Sequence, residues 1–268
     1  LLVQGDFFGI QNFIFAEGGQ TQKQAHKLLR GRSFQVSLLA ECAALKLLEA
    51  LELPPTSQII NAAGKFLIVA PNTADAHAAI ARRQRELDDW CLTRTYGELG
   101  VGLASTPAAC DDFTSGRFGK LVERLFAALD LARHQRFDLC ADDAPSAFDG
   151  FLDAFDARYG ACQITGRHPA DAQASARRGY SLSTLADDQI RIGEELTRHA
   201  RLLVARADDR LPHALGLDYF GYRLAIVPGA EDSGQYGELA RRGILRRAWD
   251  FDTADADGTL WRGYARRF

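Results

Sequence analysis

Gly5-Asp6-Phe7-Phe8-Gly9-Ile10-Gln11 is the stretch of sequence that decides the fold. A short apolar run precedes it and predicts a first strand, Leu1 to Gln4, which ends beside the Asp6 carboxylate. Gly9 allows a tight turn, and the residues from Ile10 to Phe15 predict a short helix. An acid at a strand end, beside a glycine turn that opens a helix, is typical of nucleotide-binding α/β folds.

A second basic stretch, Leu29-Arg30-Gly31-Arg32-Ser33-Phe34, falls in a long helix predicted from Lys23 to Pro54. We place this stretch at the beginning of the helix. Backbone N–H groups there, with the guanidinium groups of Arg30 and Arg32 and the Ser33 hydroxyl, suit a phosphate. The alternative is that Gly5 and Gly9 only form a turn, that Asp6 caps a helix and that the arginines are solvated.

The rest of the first 110 residues predicts strands and helices in the order β-α-β-β-α-β. Two β-branched runs, Ser57 to Asn61 and Lys65 to Val69, predict a hairpin, Ala74 to Arg94 a helix, and Glu98 to Ser105 a strand. Further along the chain we predict helices at Phe113–Phe137, Ser183–Ala200 and Tyr236–Arg242, and strands at Arg201–Ala205, Tyr219–Val227 and Leu260–Tyr264. We predict that Asp142 to Pro145 and Ala161 to Tyr180 are loops.

Composition excludes several classes of protein. With 47% hydrophobic and 25% charged residues the chain is an ordinary globular protein, and its net charge of -3 restricts any RNA contact to local patches. The 5 cysteines are scattered and predict no disulfide framework, which favours a reducing cytoplasm, and no apolar run is long enough to span a membrane. Because the chain starts at Leu1, inside the first strand, we expect further sequence upstream.

Three stretches together resemble a known family. Gly5 to Ile14 resembles the signature G-D-[IF]-[SF]-G-I-Q-x-F-I of the polymerase-like large subunit of type III-A (Csm) CRISPR–Cas effector complexes. That family continues with an L-R-G-R-S-F stretch, here Leu29 to Phe34, and a hairpin, here Ile59 to Asn72. The resemblance is good over about the first 110 residues and loose beyond them.

The resemblance implies an α+β chain that begins with a ferredoxin-like palm domain. In the family, cyclic oligoadenylates are made by a Gly-Gly-Asp-Asp hairpin on a second palm; this sequence lacks that motif, and its own hairpin turn reads Ala62-Ala63-Gly64-Lys65. We therefore expect no catalytic residue here and a half-site for ATP with Mg²⁺ that is shared with the second palm. The nucleotide-binding residues that the resemblance implies are Asp6, Phe7, Gly9, Arg30, Arg32, Ser33 and Lys65.

The family also implies a zinc module with two C-x-x-C pairs after the first palm. Here Cys162 is followed by Thr165 where the second cysteine belongs, and Asp187 to Ile190 contains no cysteine. Cys140 and His168 do not have the spacing to replace the missing ligands, so we expect neither zinc nor another metal site. We divide the chain into the palm (1–110), a helical module that has lost its zinc ligands (111–200) and a β-containing segment (201–268).

The resemblance implies a role in antiviral defence. We expect this chain to be part of a large subunit that makes cyclic oligoadenylates and cuts single-stranded DNA when target RNA is bound. Its partners are expected to be other Csm subunits, guide RNA and target RNA. In the family, a His-Asp motif belongs to the domain that cuts DNA. Because this chain has neither that motif nor Gly-Gly-Asp-Asp, it is expected to be inactive alone. Two alternatives stay open: a structural assembly subunit that binds no nucleotide, and a free-standing palm-fold nucleotidyl cyclase.

Overall fold

A computed structural model describes residues 1–17, 24–114, 116–139, 150–199, 201–228 and 235–250, and the short strands 253–254 and 261–262. The chain divides into two compact units. The first contains residues 1–15 and 36–153, and the second contains residues 16–35 and 154–268. Each unit is thus assembled from two separate pieces of sequence, whereas the division that we predicted uses three consecutive segments.

The first unit is built on a four-stranded antiparallel sheet in which β1 (Leu2–Phe8) lies between β3 (Lys65–Val69) and β4 (Gly100–Thr106), and β2 (Gln58–Ala62) pairs with β3 at the edge. The predicted hairpin and the predicted helix after it are confirmed, and so is the α+β class. The finer ferredoxin-like assignment stays a prediction. In chain order the elements are β1 (Leu2–Phe8), α1 (Ile10–Ile14), α2 (Ala25–Ala50), β2 (Gln58–Ala62), β3 (Lys65–Val69), α3 (Ala74–Thr95), β4 (Gly100–Thr106) and α4 (Phe118–His134).

Strand β1 is longer than predicted. It continues through Phe8, so the prediction that it ends before Asp6 is wrong. Pairing with β3 on one side and β4 on the other keeps the backbone extended past Gly5. The turn comes at Gly9, whose φ of 81° is the left-handed conformation that favours glycine.

Helix α2 begins at Ala25, so the placement of the Arg30-Gly31-Arg32-Ser33 stretch at a helix start is wrong. These residues lie in the second turn and beyond, where backbone N–H groups donate to carbonyl groups one turn earlier. Only the first four N–H groups of a helix lack such a partner. The backbone of this stretch therefore provides no anion site.

The second unit contains a three-stranded antiparallel sheet in which β5 (Arg201–Arg206) lies between β6 (Tyr222–Val227) and β7 (Leu245–Asp250). The prediction that residues 161–180 form only a loop is wrong, because Asp171 caps a helix there by accepting a hydrogen bond from Ala174 N, at 2.8 Å. Strand β7 was not predicted. The elements are α5 (Ala172–Arg178), α6 (Thr184–Glu195), β5 (Arg201–Arg206), β6 (Tyr222–Val227), α7 (Gln235–Arg241), β7 (Leu245–Asp250), β8 (Thr253–Ala254) and β9 (Trp261–Arg262).

Helix α4 covers one face of the first sheet. The cluster that joins them contains Leu2 of β1 and Ala104 of β4, with Leu121, Leu125 and Leu129 of α4. Side chains alternate between the two faces of a strand, so Asp6 lies on the same face as Leu2. Asp6 is therefore covered by α4 instead of facing open solvent.

Two sequence predictions fall on residues that the structure does not describe: Cys140 as a substitute metal ligand, and the acidic loop from Asp142 to Pro145. Within the described ranges, no helix combines the length and the apolar character that crossing a membrane requires.

Candidate functional site

In the first unit, the candidate site is a group of three charged side chains around Asp6. The Asp6 carboxylate is buried, with 2% of its surface exposed, and its Oδ2 accepts a hydrogen bond from Arg133 Nη2. Lys65 pairs directly with Asp6 across the β1–β3 register, and its Nζ lies 3.7 Å from Asp6 Oδ2. One buried carboxylate therefore holds two cations in place.

The two cations remain accessible to solvent. The Lys65 side chain is 51% exposed and the Arg133 side chain is 42% exposed, whereas the Asp6 side chain is 3% exposed. Arg133 lies in the last turn of α4 and also contacts Asp130, at 3.2 Å. The buried Asp6 carboxylate holds Lys65 and Arg133 on their inner side, and their solvent-facing side is accessible to an anionic ligand.

Phe7 and Gly9 shape the backbone beside this group. The Phe7 side chain is 3% exposed, and its backbone N–H donates to the Gly64 carbonyl, at 2.9 Å. A Cβ atom on Gly9 would lie 2.0 Å from the Glu98 carbonyl oxygen. The structure thus places Asp6, Phe7, Gly9 and Lys65 around the end of β1, with Phe7 in the core.

The other three predicted residues belong to the second unit. Arg32 is 2% exposed; its Nε donates to Gln189 Oε1, at 3.0 Å, and its Nη1 donates to the Ala16 carbonyl, at 2.6 Å. Arg30 Nη1 donates to the Gly193 carbonyl, at 2.8 Å. Ser33 is half-buried in the same helix. These guanidinium groups are thus engaged with protein atoms of the second unit.

Gly31 permits the close approach of α2 and α6 that these contacts need. A Cβ atom on Gly31 would lie 1.8 Å from the Gln189 carbonyl oxygen, and one on Gly193 would lie 2.1 Å from the Lys27 carbonyl oxygen. Lys27 Nζ also forms a salt bridge with Glu194, at 2.9 Å. The basic stretch therefore works as a contact between two helices.

Arg32 begins a chain of buried hydrogen bonds. Gln189 Nε2 donates to Gln35 Oε1, at 3.2 Å, and Gln35 Nε2 donates to the Tyr219 hydroxyl, at 2.9 Å. That hydroxyl donates to Asp188 Oδ2, at 3.3 Å. Buried polar groups need such partners, because an unpaired one costs about 1–3 kcal/mol. We call Arg32, Gln189, Gln35, Tyr219 and Asp188 the buried polar chain.

Asp188 ends the buried polar chain and holds a loop. Its carboxylate accepts hydrogen bonds from the backbone N–H groups of Gly216, at 2.7 Å, and Leu217, at 2.8 Å. Burial raises the pKa of Asp188 to about 6, against the lowering effect of these two hydrogen bonds and of Arg191. The loop is thereby fastened to α6.

The segment that resembles one half of a zinc module forms a compact turn. The Cys162 N–H donates to the His168 carbonyl, at 2.8 Å, and the Gly166 N–H donates to the Cys162 carbonyl, at 2.8 Å. Cys162 packs with Ile164, Ala174 and Leu182 in an apolar cluster. Across the described parts of the chain, no group of three or more His, Cys, Asp or Glu side chains is placed to hold a metal ion.

Sequence reasoning missed Arg133, Gln189, Asp188 and Tyr219. A signal existed for two of them: Asp188 and Gln189 lie between Leu185 and Ile192 on the inward-facing side of α6, and they are 0% and 1% exposed. Polar side chains at buried helix positions predict a hydrogen-bond partner. Arg133 gave no such signal, because it lies 127 positions from Asp6 in the sequence.

Known proteins match this chain in sequence and in fold. Residues 1–149 match the family described as Csm1 subunit domain B. A protein of Thermococcus onnurineus (strain NA1), named CRISPR system single-strand-specific deoxyribonuclease Cas10/Csm1 (subtype III-A), is 30% identical over 141 residues, 51% of this chain and 18% of that protein. A protein of the same name from Mycobacterium tuberculosis (strain ATCC 25618 / H37Rv) is 31% identical over 112 residues, 42% of this chain and 14% of that protein.

Solved structures share the fold over a longer stretch. The Csm1-Csm4 subcomplex of the type III-A CRISPR-Csm interference complex matches 85% of this chain and 26% of that chain, with a TM-score of 0.59 and 20% identity. A Csm1-Csm4 cassette in complex with AMPPNP matches 86% of this chain and 26% of that chain, with a TM-score of 0.57 and 20% identity. This chain spans less than a fifth of the length of the two relatives above, 18% and 14%. With its first 149 residues matched to domain B, the chain belongs to the Csm1 family of type III-A CRISPR proteins.

Proposed function

We propose that this chain is the part of a type III-A CRISPR large subunit whose first unit frames ATP for cyclic oligoadenylate synthesis. The reaction is completed by a second palm outside these residues. The complete protein assembles with other Csm subunits, guide RNA and target RNA, and cuts single-stranded DNA when target RNA is bound. Relatives named as single-strand-specific deoxyribonucleases, and cassettes solved with AMPPNP and with cA4, support this proposal.

The observation that carries the ATP role is the arrangement of Lys65 and Arg133 around Asp6. Both cations reach solvent, and both are held by a carboxylate that is buried. A lysine and an arginine held side by side match the charge and the oxygen acceptors of a triphosphate. Of the predicted residues, Lys65 is the one best placed to contact phosphate, and Arg133 joins it.

The residues at this site fit ATP better than they fit a metal ion. Asp6 is the carboxylate at the centre of the group and already accepts a hydrogen bond from Arg133. Divalent magnesium is commonly held by one or two carboxylates together with the substrate's phosphates. Mg²⁺ would therefore be held by the phosphates of bound ATP and by the second palm, and this chain's residues orient the phosphates.

Calorimetry with ATP and Mg²⁺ tests the proposal, using this chain alone and joined to its natural downstream sequence. We expect binding in the joined form, and we expect Lys65→Ala to weaken it about tenfold by removing a charge-assisted contact. Lys120→Ala is the matched control, because Lys120 is an exposed lysine of the same unit. Absence of binding in both forms, or equal affinities for the two lysine variants, contradicts the ATP role.

A structural assembly subunit that binds no nucleotide is the second candidate. It is favoured by the internal contacts of Arg30 and Arg32, which serve the second unit. In that case the joined form does not bind ATP, yet Arg32→Ala still weakens assembly with partner subunits, because it disturbs folding. Comparing ATP binding with assembly separates the two candidates.

A further inference from the structure

A cleft with a volume of about 420 Å³ opens in the second unit, and its lining contains no residue of the proposed ATP site. It lies among α6, the loop after Leu211, the end of β6 and α7. Its size falls in the range of small-molecule sites, about 300–1,000 Å³. Its polar and aromatic walls contain Arg191, Glu195, His199, His213 and Tyr236.

One wall of the cleft is a polar stripe that starts on α6. Arg191 and Glu195 are four residues apart, on the same face of α6, and His199 follows the end of the helix with its N–H donating to the Glu195 carbonyl, at 2.8 Å. His199 Nε2 lies 2.8 Å from Glu195 Oε2. Arg191 Nη2 donates to the Ala214 carbonyl, at 3.1 Å, so its guanidinium is already fixed at the cleft. This wall therefore contains, in chain order, the Arg191 guanidinium as a cation, the Glu195 carboxylate as a hydrogen-bond acceptor and the His199 imidazole.

The other walls provide flat and apolar surfaces. His213 is exposed and has a φ of 58°, and Tyr236 is half-buried on α7. Leu215, Ile226 and Val227 are buried and form an apolar floor. The cleft therefore combines aromatic rings, an apolar floor and charged groups in one space large enough for a small planar ligand.

We propose that this cleft binds a single nucleotide unit, either as a free nucleotide or as one unpaired nucleotide of an RNA strand. Unpaired bases are recognised by stacking on tyrosine, histidine or arginine planes and by hydrogen bonds to their edges. His213 and Tyr236 provide the planes, Glu195 an edge acceptor, and Arg191 a partner for phosphate. This site lies beyond the proposed ATP function, which uses residues of the first unit.

Fluorescence anisotropy tests the proposal with the 268-residue chain and a fluorescein-labelled 12-nucleotide single-stranded RNA, with AMP as competitor. The test variant is His213→Asn with Tyr236→Ala, because asparagine tolerates a positive φ. The matched control is His77→Asn with Tyr159→Ala, which changes the same residue types outside the cleft. Circular dichroism verifies that both variants are folded.

We expect the test variant to weaken RNA or AMP binding by about five- to 100-fold, the effect of losing base stacking, and the control to bind as the unchanged chain does. Three outcomes support the binding of a nucleotide unit and identify its source: RNA binding that AMP displaces, RNA binding that AMP leaves intact, and AMP binding without RNA binding. Binding that the test variant leaves unchanged, or no binding of either probe, overturns the proposal. A peptide that occupies the cleft while RNA and AMP do not bind overturns it as well. The two proposals fail separately, because Lys65→Ala tests only the ATP site and His213→Asn with Tyr236→Ala tests only this cleft.

Discussion

The Asp6 group in the first unit and the buried polar chain in the second unit are built from similar residues and have opposite exposure. In the first, a buried carboxylate holds Lys65 and Arg133, whose side chains are 51% and 42% exposed. In the second, Arg32 is itself buried, 2% exposed, and its guanidinium donates hydrogen bonds to the Gln189 side chain and to the Ala16 carbonyl. Lys65 and Arg133 stay exposed because the carboxylate that they contact is the buried partner, whereas Arg32 is buried together with its partners.

The largest effect is expected for Gly31→Ala, which tests the close packing in the second unit. The new Cβ would lie 1.8 Å from the Gln189 carbonyl oxygen, and a backbone atom cannot move aside as the end of a side chain can. We expect a loss of about 3 kcal/mol in the free energy of unfolding, measured by urea titration with circular dichroism.

Gly119→Ala is the matched control, because Gly119 lies in α4 with open space where its Cβ would be. It is expected to stabilise the protein by up to about 1 kcal/mol, since alanine is the better helix former. Similar free energies of unfolding for the two variants would contradict the contact between α2 and α6.

Exchanging one cation in each region for alanine compares the two regions directly. Arg32→Ala leaves Gln189 and the Ala16 carbonyl without a buried donor, and we expect a cost of about 2–3 kcal/mol. Lys65→Ala removes a half-exposed partner 3.7 Å from Asp6, and we expect a cost under about 1 kcal/mol. Thermal and urea unfolding of both variants measure the difference, and a larger cost at Lys65 would reverse our assignment of roles.

An effect smaller than that of Gly31→Ala is expected from Asp188, whose protonation makes the stability of the protein depend on pH. Burial raises its pKa in the folded protein to about 6, above the 3.8 of an aspartate in an unfolded chain, so the folded state binds the proton more tightly than the unfolded chain does. Its contribution to stability is therefore complete below about pH 4 and is lost as the pH rises through about 6. Relative to Asp188→Asn, the unchanged protein should lose about 2 kcal/mol between pH 4 and pH 7.

Urea unfolding of both proteins across this pH range measures that loss. The amide proton shifts of Gly216 and Leu217, which donate to Asp188, should titrate with a midpoint near pH 6 in the unchanged protein. A difference in stability between the two proteins that stays constant with pH would contradict the raised pKa of Asp188.

Local patterns predicted several elements well. The hairpin of β2 and β3 was found from β-branched runs around Gly64, and α3 was found from its length and its inward-facing apolar residues. The start of helix α6 was predicted at Ser183, and in the structure Ser183 Oγ accepts a hydrogen bond from Ala186 N, at 3.2 Å, as the cap of that helix. These features depend on residues close together in the sequence, where propensity and capping decide the conformation.

Other features depended on distant residues and were not predicted. Strand β1 runs past Asp6 because β3 and β4 pair with it on both sides, and no local signal in Gly5-Asp6 shows this pairing. Strand β7 was missed in a stretch rich in arginine, Leu245–Asp250, which extends by pairing with β5. Tertiary pairing overrides weak strand propensity in both cases.

The sequence by itself determined the family, the α+β class and the positions of most helices and strands, since motifs and periodicity are local properties. Tertiary structure alone decided which charged residues are exposed and which are buried. Arg32 and Gln189 are 157 positions apart, and Asp6 and Arg133 are 127 positions apart. A guanidinium group looks the same in the sequence whether it ends in solvent or in the core, because its burial is set by the partners that the fold brings to it.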